Sequence, residues 1–260
     1  MRSFLIGLQF LTRISIVRQD NWTEEDFGRS VRWFPLIGAV LGLCYGLVSA
    51  LLFLILPFYG VSLPIHICTS CLLVLTILLT GGLFCDGFMD SMDGIFSGRS
   101  RDRMLEIMKD SRVGSNGVMA FTALMLMEWS ILLDMEPGII PMAMFVMPVI
   151  SRFAVVLAIT CFPYARPQGM GKAFAMHAGR NALAVAAVST LILVVPWGVP
   201  AIIALLAGGL FALYFNRYVT RILGGTTGDT YGAVAMLTEL VVLLTILLVG
   251  NFSWKSFVLQ

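Results

Sequence analysis

The chain has 260 residues, of which 58% are hydrophobic and only 12% charged, and its formal net charge is +2. A soluble domain of this size carries roughly a quarter charged residues, and a balance this close to neutral excludes nucleic-acid binding as the organising function. With a mean hydropathy of +0.92 and apolar stretches recurring along the whole chain, the sequence reads as an integral membrane protein whose first partner is the lipid bilayer.

In chain order, residues 3–17, "SFLIGLQFLTRISIV", are too short and too interrupted by Arg13 to cross a bilayer. Their pattern predicts an amphipathic helix lying along the interface. No cleavable signal peptide is expected, because Arg13 and Arg18 break the N-terminal apolar run. Seven apolar spans follow, at 34–57, 62–84, 117–133, 138–162, 181–197, 199–216 and 232–252. Gly38, Gly42 and Gly46 in the first span, four residues apart, predict a smooth face for close approach of another helix of the same subunit. Pro196 and Pro200 mark either a tight turn or one broken helix. The five cysteines, including the Cys68–Cys71 pair, sit in or beside apolar runs and read as packing residues. The expected fold is all-α, a polytopic helical bundle of about seven transmembrane helices forming one membrane-embedded domain over 1–260.

Orientation follows from the basic residues. Fifteen of the 17 Lys and Arg fall on one side of this arrangement: Arg2, Arg13, Arg18, Arg29 and Arg32; Arg99, Arg101, Arg103, Lys109 and Arg112; Arg166, Lys172 and Arg180; Arg217 and Arg221. Lys255 lies on the other side and Arg152 within the fourth span. The positive-inside rule makes the fifteen cytoplasmic, with the N-terminus in and the C-terminus out.

Against this background the stretch "LFCDGFMDSMDG", residues 83–94, is anomalous. Asp86, Asp90 and Asp93 are spaced i, i+4 and i+7, so on a helix their carboxylates fall within an arc of about 60°. Gly87 and Gly94 keep the neighbouring surface low. Three carboxylates on one stripe repel unless a cation sits among them. Carboxylates without His or Cys suit a hard cation, Mg²⁺ or Mn²⁺. Beside them come Arg99, Arg101, Arg103, Lys109 and Arg112, which either grip phosphate or anchor the topology. Asp110 is a further metal ligand or a partner of Arg112. A carboxylate-held magnesium beside Arg and Lys points to phosphoryl transfer on a diphosphate, with residues 85–116 as the cytoplasmic active-site segment. Asp93 is the candidate general base, with Asp86 and Asp90 as its catalytic companions.

Three more sets join the candidates. Asp229, in "GGTTGDT", suits a sugar or nucleotide, or simply caps a helix. Arg166 and Lys172, in "YARPQGMGKAF", form a substrate-contacting loop or a plain positive-inside loop. Glu128, Glu239 and Arg152 are intramembrane charges, so Arg152 pairs with one of the acids or reaches substrate phosphate.

Taken together, "FLTRISI" at 10–16, "RSVRWFPLIGAVLG" at 29–42, the block 81–117, "SRF" at 151–153, "YARPQGMGKAF" at 164–174 and "GGTTGDTYGA" at 224–233 resemble the cobalamin synthase family, the adenosylcobinamide-GDP ribazoletransferases. The resemblance runs through nearly the whole chain. It implies attack by a hydroxyl of α-ribazole, or of its 5′-phosphate, on the cobinamide-side phosphorus of adenosylcobinamide-GDP, with Mg²⁺ required. GMP leaves and adenosylcobalamin, or its 5′-phosphate, is formed as the last step of nucleotide-loop assembly. It also implies a bacterial cytoplasmic membrane location, with self-association and association with other cobalamin-assembly enzymes left open. One position departs: Phe84 stands where the family usually has His, and His177 is the candidate to compensate. A CDP-alcohol phosphotransferase fits less well, because its aspartates span a longer stretch containing Ala and Arg. A prenyltransferase would need D-D-x-x-D motifs, and a transporter would place its acids near the midplane.

Overall fold

The computed structural model describes residues 2–16 and 22–258, without side chains for Met170 and 251–258; Arg18 and the end of the predicted interfacial segment lie outside the described residues. Helix α1 (Arg2–Leu11) is followed by α2 (Glu24–Ser30), which runs through a 3₁₀ turn into α3 (Phe34–Ala50). A π turn at Leu51–Ile55 then leads into the short α4 (Leu56–Phe58). Next come α5 (Ile65–Thr80), α6 (Leu83–Ile95), α7 (Arg101–Ile107), α8 (Ser115–Asp134), α9 (Ile140–Cys161), α10 (Met170–His177), α11 (Ala182–Val194), α12 (Val199–Leu223) and α13 (Gly228–Val258). No strand occurs among the described residues, whose only sheet-like feature is a bridge between Tyr164 and Thr226.

Five helical stretches are long and apolar enough to cross a membrane. Two bent pairs, α5 with α6 and α10 with α11, bring the number to 7 if each is one span. The predicted spans at 62–84 and 181–197 are these pairs' apolar arms. Gly81 and Gly82 have φ of 63° and 72°, a left-handed conformation that costs an L side chain but not glycine. The chain accordingly turns 92° between α5 and α6. At 13 residues, with three aspartates, α6 is too short and too polar to span, and it lies across the end of the bundle. Gly198, with φ of 82°, makes a turn between α11 and α12, which answers the Pro196–Pro200 ambiguity.

α9 is the central post. Nearly every residue from Ile140 to Ile159 is buried, and α3, α11, α12 and α13 pack around it. α3 approaches most closely, for the reason its glycines predict. A Cβ at Gly38 or Gly42 would collide with the carbonyl oxygens of Pro148 and Phe145, and one at Gly46 would lie 3.2 Å from that of Pro141. The small-residue stripe is a seam within one subunit. α1 packs through the buried Ile6, Leu8 and Leu11 against α2 and α3. It stops where the Thr12 hydroxyl turns back onto the Leu8 carbonyl, 2.7 Å away, and accepts from the Ile14 amide. The Arg13 amide then donates to the Leu79 carbonyl at 2.7 Å, tying the N-terminal segment to the end of α5.

Gly38→Val should cost at least 1–3 kcal/mol through overpacking against backbone that cannot yield. Gly209→Val on α12 meets nothing within 4 Å and should be tolerated. Thermal unfolding in detergent, followed by loss of monodisperse protein, separates the two; equal melting of both variants would contradict the seam.

Candidate functional site

The site begins with a backbone contact. α6 crosses the start of α13 so closely that a Cβ at Gly87 would lie 2.9 Å from the Asp229 carbonyl oxygen. One at Gly232 would lie 2.9 Å from that of Phe84. Each glycine therefore lets the other helix in, and the crossing sets Asp86 and Asp90 of α6 beside Asp229 at the first turn of α13.

Asp229 is itself held. The segment after α9 pairs with the segment before α13: the Thr226 amide donates to the Pro163 carbonyl and the Ala165 amide to the Thr226 carbonyl, both at 2.8 Å. This stitch brings Arg166 onto Asp229, with Nη2 donating to Oδ2 at 2.6 Å. Thr227 also donates to Oδ2, leaving Oδ1 without a hydrogen bond among the described residues. The N-cap reading of Asp229 does not hold here: Thr227 and Thr230 cap the turn, each taking the other's amide.

The aspartate stripe divides along its length. Asp86 is exposed and Asp90 half-buried. Burial, followed by the charges of Asp86, Asp229 and Asp93, pushes the Asp90 carboxyl up to about 7, against the lowering effect of Arg166. Asp93 is buried and does something else: its two oxygens accept the amides of Gly114 and Gly117, at 2.7 and 2.8 Å, at the start of α8. A helix N-terminus offers orphan amides and a positive dipole end, so Asp93 is the anchor that fixes α8 to α6. The general-base expectation for Asp93 gives way to this anchoring role, because the carboxylate is buried and each of its oxygens accepts a backbone amide.

Asp110 resolves toward Arg112. The guanidinium forks onto both carboxylate oxygens at 3.1 and 2.8 Å, and this hydrogen bonding holds the Asp110 carboxyl down at about 2. Arg103 pairs with Glu106 at 2.8 Å, and Lys109 is exposed. Arg103, Asp110, Arg112 and Asp93, with Glu106, nevertheless line one open depression of about 280 Å³, an annex of mixed charge next to the α8 start. Arg101 is structural, its Nε capping the end of α12 through the Leu223 carbonyl at 2.7 Å. Lys172 folds back onto the Pro167 carbonyl at 2.6 Å.

Arg152 resolves toward one of the two acids. It is 1% exposed, ion-paired with Glu239 of α13, and its guanidinium lies 4.5 Å from the centre of the Phe84 ring. Desolvated charge demands a partner, and a cation over an aromatic face is stabilised further. The substrate-phosphate expectation for Arg152 gives way to this internal pairing. Phe84 thus uses its ring face where a His would have offered nitrogens. His177 does not stand in for it: its backbone abuts Gly28 of α2, and its ring Nδ1 lies 3.3 Å from the Ala173 carbonyl.

The sequence reading missed the aromatic wall. Phe10, Phe27, Phe34 and Phe174, from α1, α2, α3 and α10, stack edge-on at 5.4 to 5.7 Å. Three of them, with Tyr231, line a mostly apolar cavity of about 190 Å³ whose lining also includes the polar side chains of Asp86 and Asp229. A second, more open cavity of about 640 Å³ lies between the end of α1 and the Gly81–Gly82 bend, and it shares Phe10, Leu83 and Asp86 with the first. The signal was present in "GLQF" and "KAF", but nothing in one sequence says that these phenylalanines meet.

Residues 3–247 match the family described as CobS, cobalamin-5-phosphate synthase. The chain belongs to this family. Among its relatives, an adenosylcobinamide-GDP ribazoletransferase from Desulfitobacterium hafniense is 39% identical, with 94% of this chain and 96% of the relative covered. The enzymes of the same name from Desulforamulus reducens and Fusobacterium nucleatum are 39% and 34% identical, each over at least 95% of both chains. No solved structure gives a significant match. The matched region contains every site residue described above, from Phe10 to Tyr231.

The division of labour along α6 is open to test. Asp93→Ala leaves two amides unpaired and should lower stability by about 1–3 kcal/mol along with activity. Asp86→Asn should abolish activity while leaving the melting temperature within about 2 °C. Matching thermal stability for the two variants would remove the anchor role of Asp93.

Proposed function

We propose that this protein is an adenosylcobinamide-GDP ribazoletransferase that joins α-ribazole, or its 5′-phosphate, to the cobinamide-side phosphorus with release of GMP. The observation that carries the chemistry is the convergence of Asp86, Asp90 and Asp229 around a single close guanidinium, Arg166. Three carboxylates against one cation leave excess negative charge, which a hard divalent ion relieves. Among the described residues no three such groups form a ready-made cage, and magnesium is commonly held by one or two carboxylates together with substrate phosphates. Asp86 and Asp90 would hold it. The ion would supply charge neutralisation on the phosphate oxygens.

The chain's own residues do the rest. Arg166, pinned by the stitched loops, presents a fixed positive charge at the rim. Arg103 and Arg112 line the annex and Lys109 adjoins it; departing phosphate charge would draw the two arginines from Glu106 and Asp110, their partners in the free protein. The acceptor hydroxyl oxygen forms a bond to the cobinamide-side phosphorus while the bond from that phosphorus to the GMP oxygen breaks. GMP takes the electron pair, and the hydroxyl proton passes to a carboxylate of the cluster. Asp229 Oδ1 is the best-placed acceptor, since both of its side-chain bonds fall on Oδ2. The distribution of Lys and Arg supports a cytoplasmic active face in a bacterial inner membrane, N-terminus inside. Internal pairing of Arg152 with Glu239 accounts for two of the three intramembrane charges that favoured a transporter.

Purified protein given adenosylcobinamide-GDP, α-ribazole and Mg²⁺ should release GMP; none released would refute the reading. Asp86→Asn and Asp90→Asn should each lower kcat at least 100-fold.

Metal binding should also depend on pH. Below about 7 the Asp90 carboxyl holds a proton that the ion must displace, so apparent Mg²⁺ affinity should fall with decreasing pH, by up to tenfold per unit. Above about 7 it should level off. Titrations of wild type and Asp90→Asn at pH 5.5 to 8.5 check this: a slope unchanged in the variant would place the titrating group elsewhere.

A further inference from the structure

We propose that Arg13, a residue outside the acid cluster, grips the donor's diphosphate in the larger, open cavity, where Asp86 and its ion meet the same group. This deepens the function proposed above and rests on it. The placement of Arg13, its fixation and the balance of charge carry the inference.

The cavity of about 640 Å³ lies between the end of α1 and the Gly81–Gly82 bend. Among the residues that line it, Arg13 is the one base and Asp86 the one acid, with Gln9, Thr12 and Thr80 adding neutral polar groups. The smaller cavity shares Asp86 but has no basic residue in its lining. An anion bridged by a metal ion on Asp86 therefore finds a positive side chain on one side only, in the larger space. A few polar groups set in an apolar lining are what orients a bound molecule.

Arg13 is also fixed. Its amide donates to the Leu79 carbonyl at 2.7 Å, and its neighbour Thr12 bonds the Leu8 carbonyl and takes the Ile14 amide. The side chain lies on the bare face of Gly81, where a Cβ would collide with Nε and lie 2.8 Å from Cζ. Gly81 is left-handed, with φ of 63°, so the glycine that bends α5 into α6 also makes a bed for the guanidinium. The planar fork is held at the cavity wall before a ligand arrives, and its geometry matches two phosphate oxygens at once.

The balance of charge leaves this guanidinium in surplus. Arg166 is taken by Asp229, Arg103 by Glu106, Arg112 by Asp110 and Arg152 by Glu239, and Arg101 caps α12. Among the described residues the Arg13 side chain has no hydrogen bond and no acid partner. A diphosphate esterified at both ends has one negative charge on each phosphorus. A divalent ion already neutralised by Asp86 and Asp90 leaves both uncompensated, and Arg13 offsets one of them. An arginine that only anchored the topology would need neither the glycine bed nor a place in the same lining as Asp86.

The test separates the grip from the reaction. GDP titrated with Mg²⁺ into detergent-solubilised protein should bind wild type, and should bind Arg13→Gln at least tenfold more weakly, as expected for loss of a charge-assisted pair. In the GMP-release assay Arg13→Gln should raise KM for adenosylcobinamide-GDP at least tenfold, with KM for α-ribazole within twofold of wild type. The unchanged acceptor KM shows that the variant is folded. Arg13→Lys, which keeps the charge and loses the fork, should recover only part of the GDP affinity. Gly81→Ala, which pushes the guanidinium off its bed, should weaken GDP binding in the same direction. If wild type binds no GDP, or if Arg13→Gln or Arg13→Lys binds it as tightly as wild type, the assignment is overturned. If GMP is released and the donor KM is unchanged in Arg13→Gln, the assignment is overturned and the transferase reading stands. If GDP binding is lost in Arg13→Gln while wild type never releases GMP, the diphosphate grip stands and the transferase reading falls.

Discussion

Everything at the active face depends on one backbone-to-backbone contact, where Gly87 of α6 and Gly232 of α13 meet. No side chain larger than hydrogen fits on either helix at the crossing. That closeness turns three aspartates from distant parts of the sequence, 86, 90 and 229, into one electrostatic unit. The unit is deliberately short of positive charge, because Arg166 is delivered by a separate device, the pairing of residues 163–165 with 224–226. Two independent constraints, a glycine crossing and a stitched loop, therefore fix the acids and their one guanidinium before any ligand arrives. Pre-fixed charges cost no reorganisation when the reaction proceeds, which is where electrostatic catalysis gains most.

The bundle keeps its charge in two compartments. At the face, Asp86, Asp90 and Asp229 are under-neutralised and partly solvated. About three turns further along α13, Arg152 and Glu239 neutralise each other in a dry environment, with the guanidinium over the Phe84 ring. An arginine buried in hydrocarbon without that acid would be costly. Pairing makes it a rivet between α9 and α13, the same two helices whose preceding and following loops are stitched at the surface. Phe84 belongs to this inner compartment by its ring and to the substrate face by its position on α6, so it touches both.

Much of this was legible in the sequence, and the limits are physical. Helical spacing put Asp86, Asp90 and Asp93 on one stripe, and the stripe exists. Sequence spacing could not show that the far end of the stripe meets the amides of Gly114 and Gly117, which changes the work of Asp93. Gly38, Gly42 and Gly46 announced a close helix contact, and its partner is α9. The bend at Gly81–Gly82 was hidden inside an uninterrupted apolar run, because hydropathy is blind to φ. Arg152 was recognised as an intramembrane charge, but which acid it meets is a matter of tertiary register. The aromatic wall was invisible for the same reason: it brings Phe174 against Phe10 and Phe34, which lie more than a hundred residues earlier.

That the first turn of α13 closes the site has a bearing on biogenesis. The carboxylate at 229 and the glycine at 232 enter the membrane after all the other walls are in place, so a nascent chain stalled before them holds an open, reactive-looking stripe of acid with no counterpart. A chain that stops before α13 lacks one whole side of the α6 crossing, so the acid cluster exists only once residues 229 and 232 have been made.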